Sequence, residues 1–434
     1  MPFGICQRAF FVISRFLFRY TDKFLDLCIV TKQDTMGYYR YIFLIAFSLV
    51  AFSCEVLDND IEKHGDIEGN IYVGLDEVAE VLSDLPLNLS HMQEVYDAVT
   101  SSSGNGYDEE YTMQILFESP GKGVGDLATR SGKSYKEPLR NLIEEYVRAG
   151  VQTKSGGKVY SADDFLAALT SSDIQIYWPY SENWDGSTLP IITFDPEDGS
   201  EVNIGYRLFI SDDGSRRVEL VEVDEEMAVE SPVWVVNRNS DAEFTTLEML
   251  RREDPEWGEG GGTIIVKPGT KAGEEPLRTL VLKEFKMNRQ FDPWFCGAAE
   301  AFIKTGSIDD FTASTEAELR LFNPMVTDFM IVIKRGQVGQ TIPFNAVLVS
   351  DWNPQMTHCA LMITEDDGGT LTEWKCTALV RIASKSYGVE LNLPFNSRDD
   401  IVWRGHLTSR WLEANNNVVG HFGDVDLTFE LVEY

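Results

Sequence analysis

Cysteine and histidine are scarce in this chain, six and five among 434 residues. None stands in a paired Cys or His cluster, which argues against zinc fingers, His-rich metal sites and haem attachment. Basic residues are few as well: 37 Lys plus Arg against 70 Asp plus Glu give a formal charge of −33. A field of that sign repels phosphate backbones, so nucleic acid is not an expected partner. Nor does any apolar run reach the roughly 20 residues a helix needs to cross a hydrocarbon core about 30 Å thick. Nucleotide motifs are missing too. Gly121, Gly123 and Gly125 in SPGKGVGD do not make GxGxxG, and SGKS at 131–134 lacks the glycine a phosphate loop would place where Leu127 stands. There is no HExxH, GxSxG or SxxK with its partner motifs. No catalytic residue, no cofactor and no metal centre are therefore expected. What the chain does have is material for a core, 43% hydrophobic and 12% aromatic residues. Its length suits two or three domains of roughly 100 to 200 residues each.

Residues 36–53 read MGYYRYIFLIAFSLVAFS: a Met, a short region with Arg40, an apolar run from Ile42 to Phe52, then small Ser53 before Cys54. That order is a secretory signal peptide, too short in its apolar part to remain as an anchor. Residues 1–35 scatter basic residues through an apolar stretch with no cleavage pattern of their own. They are read as lying upstream of the true start at Met36, and so as not translated.

Ala51, Phe52, Ser53 and Cys54 resemble the lipobox of bacterial lipoproteins, and the acidic stretch after them (Glu55, Asp58, Asp60, Glu62) is similar to the sorting region of surface lipoproteins of Bacteroidota. The resemblance implies that Cys54 is acylated and begins the mature chain, holding it to a membrane by lipid alone; an ordinary signal peptide followed by an incidental cysteine is the alternative. It also implies an outer-membrane location, on the surface or the periplasmic face, and it transfers no active site.

Beyond residues 54–70, polar and acidic enough to serve as a tether, the period changes twice. Over 71–172 apolar residues recur at helical spacing, as in Val78, Val81, Leu82 and Leu85, with Pro86 a stop and Ser90 a cap for the next segment. This is the helix-rich part. From 173 to 250 the period falls to two, and SDDG at 211–214 between two apolar runs signals a hairpin within a β module. Residues 251–276, with Gly260 to Gly262, read as a linker or long loop. Over 277–434 nearly every segment reads as strand: Leu280 to Phe285, Phe329 to Lys334, Phe344 to Val349, Cys359 to Thr364, Leu371 to Ile382, Gly388 to Leu393, Ile401 to Trp403 and Asp424 to Val432. The fold class is thus mainly β with a helix-rich N-terminal part and a C-terminal antiparallel β-sandwich.

Four local features bear on chemistry. If Asp367 and Gly368 make a two-residue turn, Cys359 faces Cys376 at a non-hydrogen-bonded position with Cα atoms about 4.5 Å apart, where a disulfide is feasible in an exported protein. Two buried thiols are the alternative, and Cys296 is left over as a small core hydrophobe. Second, Tyr177, Trp178, Tyr180 and Trp184 fall within eight residues beside Asn183 and Asp185. They form either a stacking platform for a ligand such as a sugar ring, or a filler of the seam between the helical and β parts. A second cluster, FDPWFCGAAEAF at 291–302, reads as core. Third, the pairs Asp309–Asp310, Asp366–Asp367 and Asp399–Asp400 lie in loops of the sandwich; they are solvated turns or, if converging, oxygen ligands for calcium. Fourth, acids are so abundant that a catalytic carboxylate pair cannot be singled out. The expected role is binding or assembly at the cell surface by a non-enzymatic, lipid-anchored envelope protein, with a glycan or another envelope protein as partner. The competing class is a secreted glycan-acting hydrolase using two carboxylates.

Overall fold

A computed structural model describes residues 71–118, 135–150, 161–210, 216–238, 244–253, 278–308 and 311–433, together with the two-residue strands β2 (Lys154–Ser155) and β3 (Lys158–Val159). The signal segment, Cys54, the tether, Asp309, Asp310 and most of the 251–276 linker lie outside the described residues.

The N-terminal part opens on α1 (Leu75–Asp84), which buries Leu75, Val78, Ala79, Val81 and Leu82. The next helix, α2 (Leu89–Gly104), starts two residues earlier than Ser90 implies. Asn88 is the cap: its side chain accepts from the Ser90 amide at 2.8 Å, and the His91 ring accepts from the Asn88 amide at 3.2 Å. Asn satisfies an orphan N-terminal donor as well as Ser does, and here it stands nearer the break made by Pro86. The shorter α3 (Met113–Phe117), α4 (Leu139–Arg148) and α5 (Ala162–Thr170) complete the helical layer, α5 capped by the Ser161 side chain.

These helices share a sheet with the β module. Its six strands are β1 (Glu110–Thr112), β4 (Ile174–Tyr177), β5 (Ile191–Phe194), β6 (Asn203–Ile210), β7 (Arg216–Val223) and β8 (Val233–Arg238), in the order β1-β4-β8-β5-β6-β7. The strand β1, inside the segment read as helical, pairs with β4. The β8 run VWVVN is buried throughout because it lies between β4 and β5, antiparallel to one and parallel to the other. Period-two alternation divides this sheet cleanly. Ile176, Trp178, Trp234 and Val236 pack under the helices, whereas Tyr177, Ile191, Val233 and Val235 face the opposite side. The boundary drawn at 172 therefore separates two kinds of period but not two cores.

The C-terminal part has two antiparallel sheets packed on one core. One follows β11 (Met325–Ile333), β10 (Ala299–Ser307), β13 (Met356–Glu365), β14 (Leu371–Ile382) and β15 (Lys385–Asn396), with β16 (Asp400–Thr408) also on β13. The other follows β12 (Ile342–Val349), β9 (Arg278–Met287), β18 (Val425–Glu433) and β17 (Val419–Phe422). The mainly β fold with its C-terminal sandwich matches the expectation. All nine residues of β10 are buried, so the alternation that marks its neighbours is missing from it, and sequence reading passes it over as undifferentiated core.

Cys359 and Cys376 are both buried and no disulfide joins them, which is the second of the two alternatives. The strands β13 and β14 pair only at Met356↔Val380 and His358↔Leu379. Beyond that point β10 and β16 take the two edges of β13, and β14 pairs with β15, placing Leu391 opposite Cys376 and Leu407 opposite Cys359. A strand arriving from far along the chain displaces the local hairpin, which the 359–376 spacing alone cannot reveal.

Candidate functional site

The four aromatics of 177–184 do not share a face. Tyr177 and Trp178 are successive residues at the end of β4, so they point to opposite sides of the sheet, and both are fully buried. Trp178 touches Tyr96, Trp184 and Trp234 with ring centroids 5.9, 5.6 and 6.0 Å away, which makes it the seam filler. Tyr180 and Trp184 are half-buried. They wall a cavity of about 130 Å³ whose rim includes Asn183, Asp185, Thr188 and Glu230. Tyr180 sits in the left-handed region (φ 56°) ahead of a single 3₁₀ turn, and its hydroxyl donates to Glu225 at 2.9 Å. The loop behind the cavity is set by Asp185, which accepts from the Ser187 and Thr188 amides at 2.7 and 2.8 Å. These bonds hold its carboxyl well below the usual range. The Trp184 indole N–H donates to the Thr188 carbonyl at 3.0 Å, and its ring packs on Tyr96 and Trp178 with centroids 5.4 and 5.6 Å away.

A second locus lies where the connection between β9 and β10 meets both modules. Trp294 and Phe295 of that connection enter the α/β module and pack on Tyr177, Ile191, Val233 and Val235. Main-chain polar groups follow them in. Trp294 donates to the Glu201 carbonyl at 3.0 Å, and Asn237 donates to the carbonyls of Phe295 and Cys296 at 2.9 and 2.8 Å. Buried Asp108 accepts from the Ala298 and Glu109 amides at 3.0 and 2.7 Å. Glu109 accepts from Ser181 at 2.7 Å with the Lys334 ammonium 4.0 Å away. Burial pushes both carboxyls up, and Lys334 partly offsets it.

Cys296 is exposed rather than part of a core, because the turn after Phe295 carries it back out of the seam. Its thiol lies 3.7 Å from an Asp195 carboxylate oxygen and not against a histidine. Desolvation and the nearby Asp195 and Asp292 carboxylates push the thiol well up, the reverse of what a nucleophile needs.

The third locus was legible only in part. Asp366–Asp367 and Asp399–Asp400 do converge at one end of the sandwich: Glu365 pairs with Asp400 across the sheet, and Asn396 donates its side-chain amide to Asp366 at 2.8 Å and its backbone amide to Asp399 at 2.8 Å. Two acids that sequence reading left out complete the group, Asp292 from the β9–β10 connection and Glu365 from the end of β13. Carboxylate oxygens of Asp292, Glu365 and Asp367 all lie within 4.8 Å of one another. Burial and then the surrounding acids push Glu365, Asp367 and Asp399 up. The expectation of no metal centre thus meets a set of oxygen donors with the spacing of one.

No known protein-family model matches this chain, and neither a curated protein nor a solved structure was found to be similar to it.

Proposed function

We propose that this chain is a lipid-anchored protein of the bacterial cell envelope whose body binds a ligand, with a glycan as the class the Trp184 cleft suits. The anchor half of the reading rests on the charged, apolar and small-residue order of 36–53 followed by Cys54. The binding half rests on one observation, the cavity of about 130 Å³ between the Trp184 and Tyr180 rings with an amide, a hydroxyl and carboxylates at its rim. A cavity of about 150 Å³ accepts a six-membered ring, and an indole face with flanking hydrogen-bonding groups is the chemistry that sugar rings stack on. An assembly role draws on the β6–β7 hairpin at the sheet's edge, where Ile204, Ile210 and Leu220 stay exposed at 58%, 63% and 65%. The hydrolase alternative is less well supported, because Glu365, the most strongly perturbed acid of the Asp292–Glu365–Asp367 group, has no exposed surface for a substrate to reach, and the Asp108–Glu109 pair is buried as well.

Two outcomes follow. Cys54→Ala should move the protein from the membrane fraction to the soluble fraction of the envelope; retention in the membrane would remove the anchor. On a glycan array, Trp184→Ala should weaken the strongest wild-type signal by about tenfold or more, the size of losing one well-packed aromatic contact. Equal binding by variant and wild type would remove the cleft as the ligand seat.

A further inference from the structure

We infer that Asp292, Glu365 and Asp367 hold one oxygen-seeking divalent cation of the calcium type, which clamps the β9–β10 connection to the end of β13. This inference depends neither on the lipid anchor nor on the Trp184 cleft.

Geometry comes first. Two oxygens each about 2.4 Å from one calcium ion lie no more than about 4.8 Å apart, and the three carboxylates present oxygens all within 4.8 Å of one another. They come from distant parts of the chain, one from the connection between sheets and two from the tip of β13, so their convergence is a product of the fold rather than of an acidic stretch. The independent observation is Glu365. It has no exposed surface, and no hydrogen bond of ordinary geometry reaches either of its carboxylate oxygens; the Glu300 amide and the Asp292 carboxyl are its polar neighbours. A buried carboxylate so poorly partnered is expensive, and coordination of a cation removes that cost. Asp399, next in the cluster, likewise leaves one buried oxygen unpartnered.

Among the described residues no Lys or Arg forms an ion pair with these three carboxylates. Arg335, beside Asp292, donates to the Asp292 and Gly297 carbonyls at 2.7 and 3.1 Å and lies 3.8 Å from Glu225. It therefore positions the Asp292 backbone from behind and leaves the carboxylate facing the other two. The donor set is entirely oxygen, with no imidazole or thiolate, which suits calcium and disfavours zinc or copper. Three carboxylates of mixed exposure, Glu365 buried, Asp292 half-buried and Asp367 exposed, leave one side open for water ligands. Magnesium, which demands near-ideal octahedral geometry at about 2.1 Å, fits such a set less well.

The experiment uses the purified chain stripped with a chelator and titrated calorimetrically with calcium chloride, then with magnesium chloride, with thermal melting in parallel. Saturable uptake of one calcium per chain is expected, with a dissociation constant on the order of 10⁻⁴ to 10⁻³ M, the range of extracellular modules. The melting temperature should rise by a few degrees at about 100 times that constant. Glu365→Gln should abolish uptake and Asp367→Asn should weaken it at least tenfold, whereas Asp163→Asn, an exposed acid at the start of α5 in the helical layer, should leave it unchanged. Should Glu365→Gln fail to fold, Asp367→Asn at its exposed position decides alone. The inference is overturned if calcium produces neither saturable uptake nor a melting shift, which would mean that Glu365 and Asp292 share a proton instead. It is equally overturned if both variants bind as the wild type does, which would assign the uptake to scattered surface acids.

Discussion

Trp294→Ala should destabilise the chain by about 3 to 5 kcal/mol, the range for removing a large buried aromatic side chain. The side chain is 1% exposed and lies with its ring centroid 4.0 Å from that of Phe295. Around it are Tyr177, Ile191, Val233 and Val235, all on the sheet face turned away from the helices. Truncation also leaves the Glu201 carbonyl without its indole donor, adding part of the cost of an unsatisfied polar group, about 1 to 3 kcal/mol if it stays dry. Because the residue belongs by sequence to the sandwich and by contact to the α/β module, the loss should be felt in both. Guanidinium unfolding followed by far-ultraviolet dichroism and by tryptophan fluorescence checks this. A midpoint unchanged from wild type would mean that the seam contributes nothing to stability.

Gly423→Ala is expected to cost about 3 kcal/mol, from two sources that can be told apart. Gly423 begins the two-residue turn between β17 and β18, where Phe422 pairs with Val425. Its φ is +62°, a region that costs a non-glycine residue about 1 to 2 kcal/mol. A Cβ there would also lie 2.3 Å from the Val402 carbonyl oxygen, a backbone atom of β16 that cannot rotate away. Gly199 provides the comparison, with φ at +75° and nothing within 4 Å of an added Cβ. Gly199→Ala should therefore show the conformational cost alone, about 1 kcal/mol. Equal melting temperatures for the two variants would show that β16 yields to the added methyl.

The strands of the sandwich that sequence reading finds are those with one face in the core and one outside it. In β18, Val425, Leu427 and Phe429 are buried while Asp426 and Glu430 are not, so the period of two is written in residue type. Where both faces are covered the pattern vanishes, and β10 with its Ala299, Glu300, Ala301 and Lys304 looks like nothing in particular. Aromatic clustering is ambiguous for a related reason. Adjacent residues in a strand diverge, so the four rings of 177–184 serve two cores and a cleft at once. The carboxylate cluster is the hardest to read. Asp367 stands in a visible acidic turn, but its partners are fixed by pairing of β13 with β10 and β16 and by the path of the β9–β10 connection. None of these contacts has a local signature. The same non-local pairing undoes the Cys359–Cys376 alignment.

The route of that connection has a bearing on biogenesis. A chain that leaves the ribosome or a translocon N-terminus first presents its helices and six-stranded sheet well before the segment carrying Trp294 and Phe295 arrives. Until then the underside formed by Tyr177, Val233 and Val235 has no lid. The early half of the polypeptide must wait, as a sticky intermediate, for a wedge encoded in the later half, so a holdase chaperone has a defined surface to shield during synthesis.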